Sequence, residues 1–113
     1  MTSYKFLVYT NAAAGRDDEF NKWYESQHLG DVLSVDAIKS AKRFRRSTHP
    51  GQPPTQDPAA AYQYLTIYDV EADDPTEVLA AIGERTKGRI SDALDAAPPS
   101  VMWFTEAGEL RTS

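Results

Sequence analysis

The order of strands and helices along the chain is the feature that most restricts its fold. Four segments combine aromatic and branched residues with alternating polarity, and we predict them to be strands: Tyr4 to Thr10, Ile38 to Thr48, Ala61 to Val70 and Val101 to Thr105. Two segments have acidic starts and helical spacing, and we predict them to be helices: Arg16 to Leu33, and Asp73–Asp74–Pro75 to about Ala97. Asp74 or Thr76 is the expected cap of the second helix, and Pro98 stops it.

This order, β-α-β-β-α-β, predicts an α+β protein with a ferredoxin-like fold. Right-handed crossovers place four strands in one antiparallel sheet with both helices on the same face. The strands carry large apolar groups on both faces, since Tyr4 and Phe6 alternate with Leu7 and Tyr9. A sheet that is apolar on both faces needs a cover on both. Because the chain offers no third layer, we expect a second copy to cover the other face and form a homodimer.

Length and composition limit the class of protein. A chain of 113 residues with 41% hydrophobic residues is expected to fold as a single domain spanning residues 1–113. The net charge of -5 argues against nucleic acid and anionic membrane as partners. The chain has no cysteine, and it lacks a signal-peptide pattern and any long apolar run, so we expect a cytoplasmic protein. The stretch His49 to Ala60 holds four of the seven prolines and is predicted to be a loop.

The segment from Gly15 to Leu33 is predicted to carry a small-molecule binding site. Its predicted helix carries one titratable side chain among aromatic ones on or near one face: Phe20, Trp23, Tyr24 and His28. Small-molecule pockets are often built from apolar and aromatic residues with a few polar groups. Gly30 is expected to break this helix shortly after the histidine.

A set of residues in the first part of the chain is typical of a known family: Asn11, Gly15, Arg16, Glu19, Phe20, Trp23, Tyr24, His28, Leu29, Asp31, Val32, Leu33, Ala41, Arg43, Phe44 and Arg45. With them the chain resembles the EthD-like branch of the dimeric α/β-barrel superfamily. The resemblance implies two ferredoxin-like subunits whose sheets form a shared barrel, with pockets between each sheet and its helices. Relatives include polyketide cyclases, cofactor-free monooxygenases, dehydratases, isomerases and haem-degrading enzymes, so the fold alone does not select an activity.

His28 is the candidate for proton transfer, because imidazole changes its charge near neutral pH. The resemblance also implies a pocket histidine at this position. Asp31 lies within reach if the helix continues, and it would fix the tautomer and raise the pKa of the imidazole. Tyr24 is the other candidate for orienting the ring. In the alternative interpretation, His28 hydrogen-bonds the backbone at a helix end and Asp31 caps the turn after Gly30.

Three residues are candidates for holding a developing oxyanion: Arg43, Tyr9 and Asn11. Arg43 shares one strand face with Ala41 and Arg45, and its guanidinium suits a carboxylate, enolate or phenolate. Alternatively, these charges protect an edge strand from aggregation. We expect Tyr9 and Asn11 to lie on one face near the start of the first helix.

The remaining candidate substrate-binding residues are aromatic or amide side chains: Phe20, Trp23, Gln27, Tyr64 and Trp103. The chain has only two histidines, His28 and His49, and no Gly-rich phosphate loop, so we predict neither a metal nor a cofactor. His28 would be the axial ligand if haem were bound.

Three functions remain open at this point. The first is a cofactor-independent enzyme that moves a proton on an apolar, oxygenated small molecule, of aromatic or polyketide-like type, as a lyase, isomerase or cyclase. The second is a cofactor-free monooxygenase in which a substrate carbanion reacts with oxygen. The third is a non-catalytic dimer that binds a small hydrophobic ligand.

Overall fold

The computed structural model describes residues 1–47 and 61–113. Its four strands are β1 (Thr2–Thr10), β2 (Ile38–Arg45), β3 (Tyr64–Ala72) and β4 (Ser100–Phe104). The four predicted strands are therefore confirmed, with ends that differ by a few residues. The end of the second predicted strand at Thr48 and the predicted loop from His49 to Ala60 lie outside the described residues.

The first helix is continuous from Asp17 to Leu33 but is not uniform. It consists of α1 (Asp17–Trp23), a π-helical turn (Tyr24–His28) and α2 (Leu29–Leu33). The expected break at Gly30 is wrong, because Gly30 lies inside α2 with open space around its Cα, and helical backbone continues to the cap at Ser34. The bounds predicted from sequence are otherwise close to those observed.

The second helix, α3 (Pro75–Thr86), is shorter than predicted. Asp74 caps it, since its carboxylate accepts a hydrogen bond from the Thr76 amide over 2.9 Å. The prediction that it reaches Ala97 is wrong. The helix ends where Lys87 adopts an extended ψ of 124° and Gly88 a φ of +72°, a left-handed conformation that favours glycine.

The strands form one antiparallel sheet in the order β2-β3-β1-β4, with the helices on one face. A β-bulge between Ile38 and Ser40 shifts the register of β2. As predicted, Ala41, Arg43 and Arg45 then share a face, and it is the face that the helices cover. The ferredoxin-like topology predicted from the order of elements is confirmed.

Two clusters of buried side chains fill the space between the helices and the sheet. The larger cluster contains residues of the sheet, the helices and their connection: Phe6, Val32, Val35, Ile38, Tyr68, Val70, Ala72 and Val78. The smaller cluster is mainly aromatic: Phe20, Tyr24, Tyr64 and Ala93. Leu29 packs against both clusters, so the turn that bears His28 lies where they meet.

The opposite face of the sheet bears large apolar side chains that no element of the described chain covers: Leu7, Tyr9, Phe44, Leu65, Ile67, Met102 and Phe104. Phe44 and Phe104 are 42% and 49% exposed. We call this surface the open sheet face. Charged side chains interrupt it at one end, where Lys5 pairs with Asp69.

Candidate functional site

The π-helical turn places His28 between two aromatic rings. Its imidazole stacks on Trp23, with ring centroids 4.7 Å apart and planes inclined by 28°. The ring of Tyr24 meets the imidazole edge-on, also with 4.7 Å between centroids. Such turns, in which hydrogen bonds join residues five apart, occur frequently at functional sites. The predicted grouping of Trp23, Tyr24 and His28 is therefore observed.

The imidazole of His28 is held in its neutral form. Burial lowers the pKa of His28 from 6.5 to about 4, against an opposing effect of the Asp31 carboxylate and with a further lowering by the Arg43 guanidinium. Its Nδ1 atom is buried and has no hydrogen-bond partner. The alternative in which His28 bonds the backbone through this nitrogen is not observed. A buried, unpaired ring nitrogen is a costly group that a ligand could satisfy.

Three hydroxyl groups meet behind this imidazole. The Thr66 hydroxyl donates to the Tyr24 oxygen over 3.0 Å, and the Tyr68 oxygen lies 3.5 Å from the same atom. All three side chains are buried. Burial is the main cause that raises the pKa of Tyr68 well above its usual range, so its phenol stays protonated. The cluster offers hydrogen-bond donors and no negative charge.

Arg43 brings a positive charge to the same place. Its guanidinium carbon lies 4.3 Å from the centroid of the Tyr24 ring, and its side chain is only 11% exposed. It donates to the Asn21 side-chain oxygen over 2.8 Å and to the Glu25 carboxylate over 3.2 Å. The sequence left open which of Arg43 and Arg45 faces the site: the structure turns Arg43 inward, whereas Arg45 is exposed and lies beside the Tyr64 ring.

Phe20 and Tyr64 form the wall of the site beside Arg43. Their ring centroids are 5.1 Å apart, and Phe20 is fully buried. The Tyr64 hydroxyl donates to Asp17 over 2.6 Å and accepts from Asn21 over 3.2 Å. Both aromatic residues therefore support the site from within the core, and the hydroxyl of Tyr64 is already paired.

Asp31 does not pair with His28 in the way we expected. Its carboxylate accepts a hydrogen bond from Nε of Arg89 over 2.8 Å. The side chains of Trp23 and Gln27 also turn to Arg89 and donate to its backbone oxygen over 3.1 Å and 3.0 Å. Trp23, Gln27 and Asp31 therefore hold the segment after α3 against the first helix. Asp31 acts on His28 only through its charge.

Three further candidates lie away from this cluster. Tyr9 pairs in register with Leu65 on the open sheet face, so the expectation that Tyr9 lies near the start of the first helix is wrong. The amide of Asn11 is occupied by the backbone of Ala61 and Gln63. Alternation along β1 assigns residues to two faces of the sheet. Because both faces are apolar, the sequence did not indicate which face the helices cover, and Tyr9 was placed on the wrong one.

Trp103 is also remote from His28. It stacks on Phe6 with centroids 4.2 Å apart and meets Tyr4 edge-on. It lies on β4, at the sheet edge opposite β2 and Arg43. Its packing against the larger core cluster indicates a structural role.

Four residues of the site were not among those predicted from sequence: Asn21, Glu25, Thr66 and Tyr68. Thr66 and Tyr68 share strand parity with Tyr64, so choosing the helix-facing side of β3 would have identified them. Asn21 and Glu25 are polar helix residues, and the only sequence signal for them is their spacing of four, which places them on one face of the helix.

Other surfaces of the described chain offer less chemistry. A cavity of about 480 Å³ lies around the end of α2 and the start of α3, with Val35, Ala72 and Val78 in its apolar floor, and it does not include His28. No group of three or more His, Asp or Glu side chains within residues 1–47 and 61–113 could hold a metal ion. None of the helices described is long and apolar enough to cross a membrane.

Comparison with known proteins shows likeness in structure but not in sequence. No family model matches the chain, and no curated protein matches it. An EthD-like protein from Ralstonia eutropha has a TM-score of 0.65 and 19% identity, with 97% of this chain and 96% of that chain covered. A variant of SnoaB, a cofactor-independent oxygenase from Streptomyces nogalater, has a TM-score of 0.63 and 12% identity, with 99% and 100% covered.

A third structure is a dimeric ferredoxin-like protein of unknown function from Thermobifida fusca. It has a TM-score of 0.53 and 8% identity, and the match covers 93% of this chain and 92% of that chain. At these identities the likeness concerns the fold. The chain has a ferredoxin-like fold similar to that of the EthD-like protein and of SnoaB, as predicted.

Proposed function

We propose that this protein is a small enzyme that removes a proton from an apolar, oxygenated small molecule, with His28 as the base. The observation that carries the proposal is the state of His28, whose imidazole is neutral and whose Nδ1 is buried without a partner. A general base must be unprotonated and must have a free nitrogen. The aromatic rings of Trp23 and Tyr24 around it favour an aromatic or polyketide-like substrate.

The charge arrangement supports deprotonation of a carbon or oxygen acid. When His28 takes the proton, a positive imidazolium and a negative substrate oxygen form side by side. Their attraction is strong in a site with little water. Arg43, 4.3 Å from the Tyr24 ring centroid, adds a second positive charge for the same oxyanion. The low pKa of free His28 would rise in the presence of the anion, which strengthens the base when it is needed.

Removal of a proton is common to two classes of reaction. In a lyase, isomerase or cyclase, the carbanion eliminates, is reprotonated or closes a ring, and the chain's own groups suffice. In a cofactor-free monooxygenase, the carbanion reacts with oxygen. Likeness in fold to SnoaB supports the oxygenase class, while the proton-transfer groups at His28 serve both. We favour the first class because it needs nothing beyond the transfer that these groups provide.

We also propose that the working form is a homodimer joined through the open sheet face. That face presents seven large apolar side chains, of which Phe44, Met102 and Phe104 are 39–49% exposed. A patch of this kind on a small protein marks an interaction surface. The similarity to a dimeric ferredoxin-like protein supports a second copy as its cover.

The test is exchange of substrate protons with solvent. A panel of 1-aryl-1,3-diketones and aryl β-keto esters is incubated in D₂O with the protein and followed by NMR, first under nitrogen and then under air. We expect accelerated exchange that His28→Phe reduces by about 10²-fold or more. Ser26→Ala, a change on the exposed side of the same turn, is the matched control and should leave the rate unchanged.

Each outcome of this test separates the candidates. Exchange without oxygen uptake favours a lyase, isomerase or cyclase, and product formation only under air favours the monooxygenase. Full activity of a folded His28→Phe protein would contradict the role of His28. A protein that binds members of the panel but accelerates none of them would be a ligand-binding dimer.

A further inference from the structure

Three side chains on successive turns of the first helix converge on one residue, Arg89. Trp23 and Gln27 donate to its backbone oxygen over 3.1 Å and 3.0 Å, and the Asp31 carboxylate accepts from its Nε over 2.8 Å. Together they use both the backbone and the side chain of Arg89. No other residue in the part of the chain described here receives side chains from three turns of this helix.

The connection between α3 and β4 divides into two parts that are held differently. The 92–95 part is tied by backbone hydrogen bonds, since Ala13 donates to Ala93 over 2.6 Å and Asp95 donates to Asn11 over 3.0 Å. Ala93 is also fully buried. The 87–91 part is mostly exposed and is held to the first helix through Arg89. The first part is an anchor, and the second joins it at Ser91, whose backbone oxygen and hydroxyl accept from Leu94 and Ala93.

The 87–91 part has a suitable hinge at its start and a fixed point at its end. Gly88 adopts a φ of +72° directly after the end of α3, where glycine can change conformation at little cost. At the other end, the anchored part begins at Asp92, which receives two hydrogen bonds from Arg16. Movement between these points would release Arg89 and leave the core cluster around Ala93 in place.

Release of Arg89 would also release the ring that covers His28. Trp23 stacks on the imidazole and is held in that orientation by its bond to the Arg89 oxygen. In the observed arrangement Nδ1 of His28 is enclosed. A substrate can therefore reach this nitrogen only after a neighbouring group moves, and Trp23, which stacks on the ring and is tied to the exposed 87–91 part, is suited to that movement.

We propose that Arg89 is a positioning residue that controls access to His28, by holding Trp23 and the 87–91 part closed over the imidazole. This inference rests on the proposed role of His28. The contacts of Arg89 are weak enough to break when the 87–91 part opens. The ion pair joins an Asp31 side chain that is 16% exposed to an Arg89 side chain that is 52% exposed, and water screens the pair on the Arg89 side and weakens it.

The test measures access to His28 directly. Diethyl pyrocarbonate modifies neutral imidazole, and mass spectrometry locates the product, with N-acetylhistidine in the same tube as the reference. We expect slow modification of His28 in the wild type. Arg89→Gln and Asp31→Asn each remove the ion pair and should raise the rate about three- to fivefold. Arg16→Gln, which cuts a contact of the anchored part, should not change it.

The outcomes are distinct. Unchanged rates in both Arg89→Gln and Asp31→Asn would overturn the proposal, and so would an equal increase in Arg16→Gln. Urea unfolding of each variant shows whether a faster rate reflects global unfolding, in which case it counts against the proposal. Because modification needs no turnover, the assay does not depend on the exchange test. Full exchange activity in His28→Phe would reject His28 as the base, while the access measurement would still stand.

Discussion

Acid should destabilise this protein through His28. The imidazole is partly buried and neutral in the folded protein, with a pKa lowered from 6.5 to about 4. In the unfolded chain the same group protonates near pH 6.5. The unfolded state therefore binds more protons between these two values, and the free energy of unfolding must fall as the pH falls through this range. The contribution is fully present above pH 6.5 and is lost below about pH 4.

The size of the effect follows from the two pKa values. At about 1.36 kcal/mol per unit, the whole shift corresponds to about 3 kcal/mol. Between pH 7 and pH 4.5 the protonation equilibria give about 2 kcal/mol of lost stability from His28 alone. Other groups titrate in the same range, so the prediction concerns the difference between the wild type and His28→Phe. Phenylalanine keeps a ring against Trp23 and Tyr24 but has no nitrogen to protonate.

The assay is urea unfolding at pH 7, 6, 5 and 4.5 at one fixed protein concentration, since a dimer's stability depends on concentration. The wild type should lose about 2 kcal/mol more than His28→Phe over this range. Ser26→Ala, on the exposed side of the same turn, is the control and should keep the wild-type slope. Equal slopes for the wild type and His28→Phe would refute the reasoning, because they would mean that the imidazole is charged or exposed in the folded protein.

Other predictions concern the support of the site, the cap of α3 and the dimer. Tyr24→Phe leaves the buried Thr66 hydroxyl without its acceptor and should cost about 1–3 kcal/mol in urea unfolding; a change under 0.5 kcal/mol would contradict the observed bond. Asp74→Ala removes the acceptor for the Thr76 amide and should cost about 1 kcal/mol, whereas Asp74→Ser should recover most of it. Ile67→Asp on the open sheet face should give monomers in sedimentation velocity, and a persistent dimer would place the interface elsewhere.

The fold was readable from the sequence because its signals are local. The strict alternation in β3 and the acidic, capped start of α3 need no knowledge of distant residues. The end of α3 was misplaced for a related reason. Ile90, Ala93 and Leu94 have a spacing that resembles a continuing helix, while Gly88 alone indicates the stop.

The site was only partly readable because its partners come together through tertiary structure. Tyr24 and His28 were identified from one helix, but the choice of Arg89 over His28 as the partner of Asp31 depends on how α3 returns to that helix. Tyr68 and Thr66 were missed because both faces of the sheet are apolar. Alternation assigns residues to one face or the other but does not identify the face that the helices cover.

The π-helical turn also solves a problem of rotation along the helix. Phe20 and Val32 are twelve residues apart, and at 100° per residue a regular α-helix would turn their side chains about 120° away from each other. Both are nevertheless buried, at 0% and 1% exposure, in two different core clusters under the same helix. The turn accommodates one additional residue, which brings the difference close to about 20°.

The helix therefore needs that additional residue in order to reach both clusters. If one residue of the turn were removed, Phe20 or Val32 could stay in the core, but not both. This effect does not depend on where His28 would then lie. Sequence comparisons that align this helix without a gap to a regular one would shift every position after the turn by one.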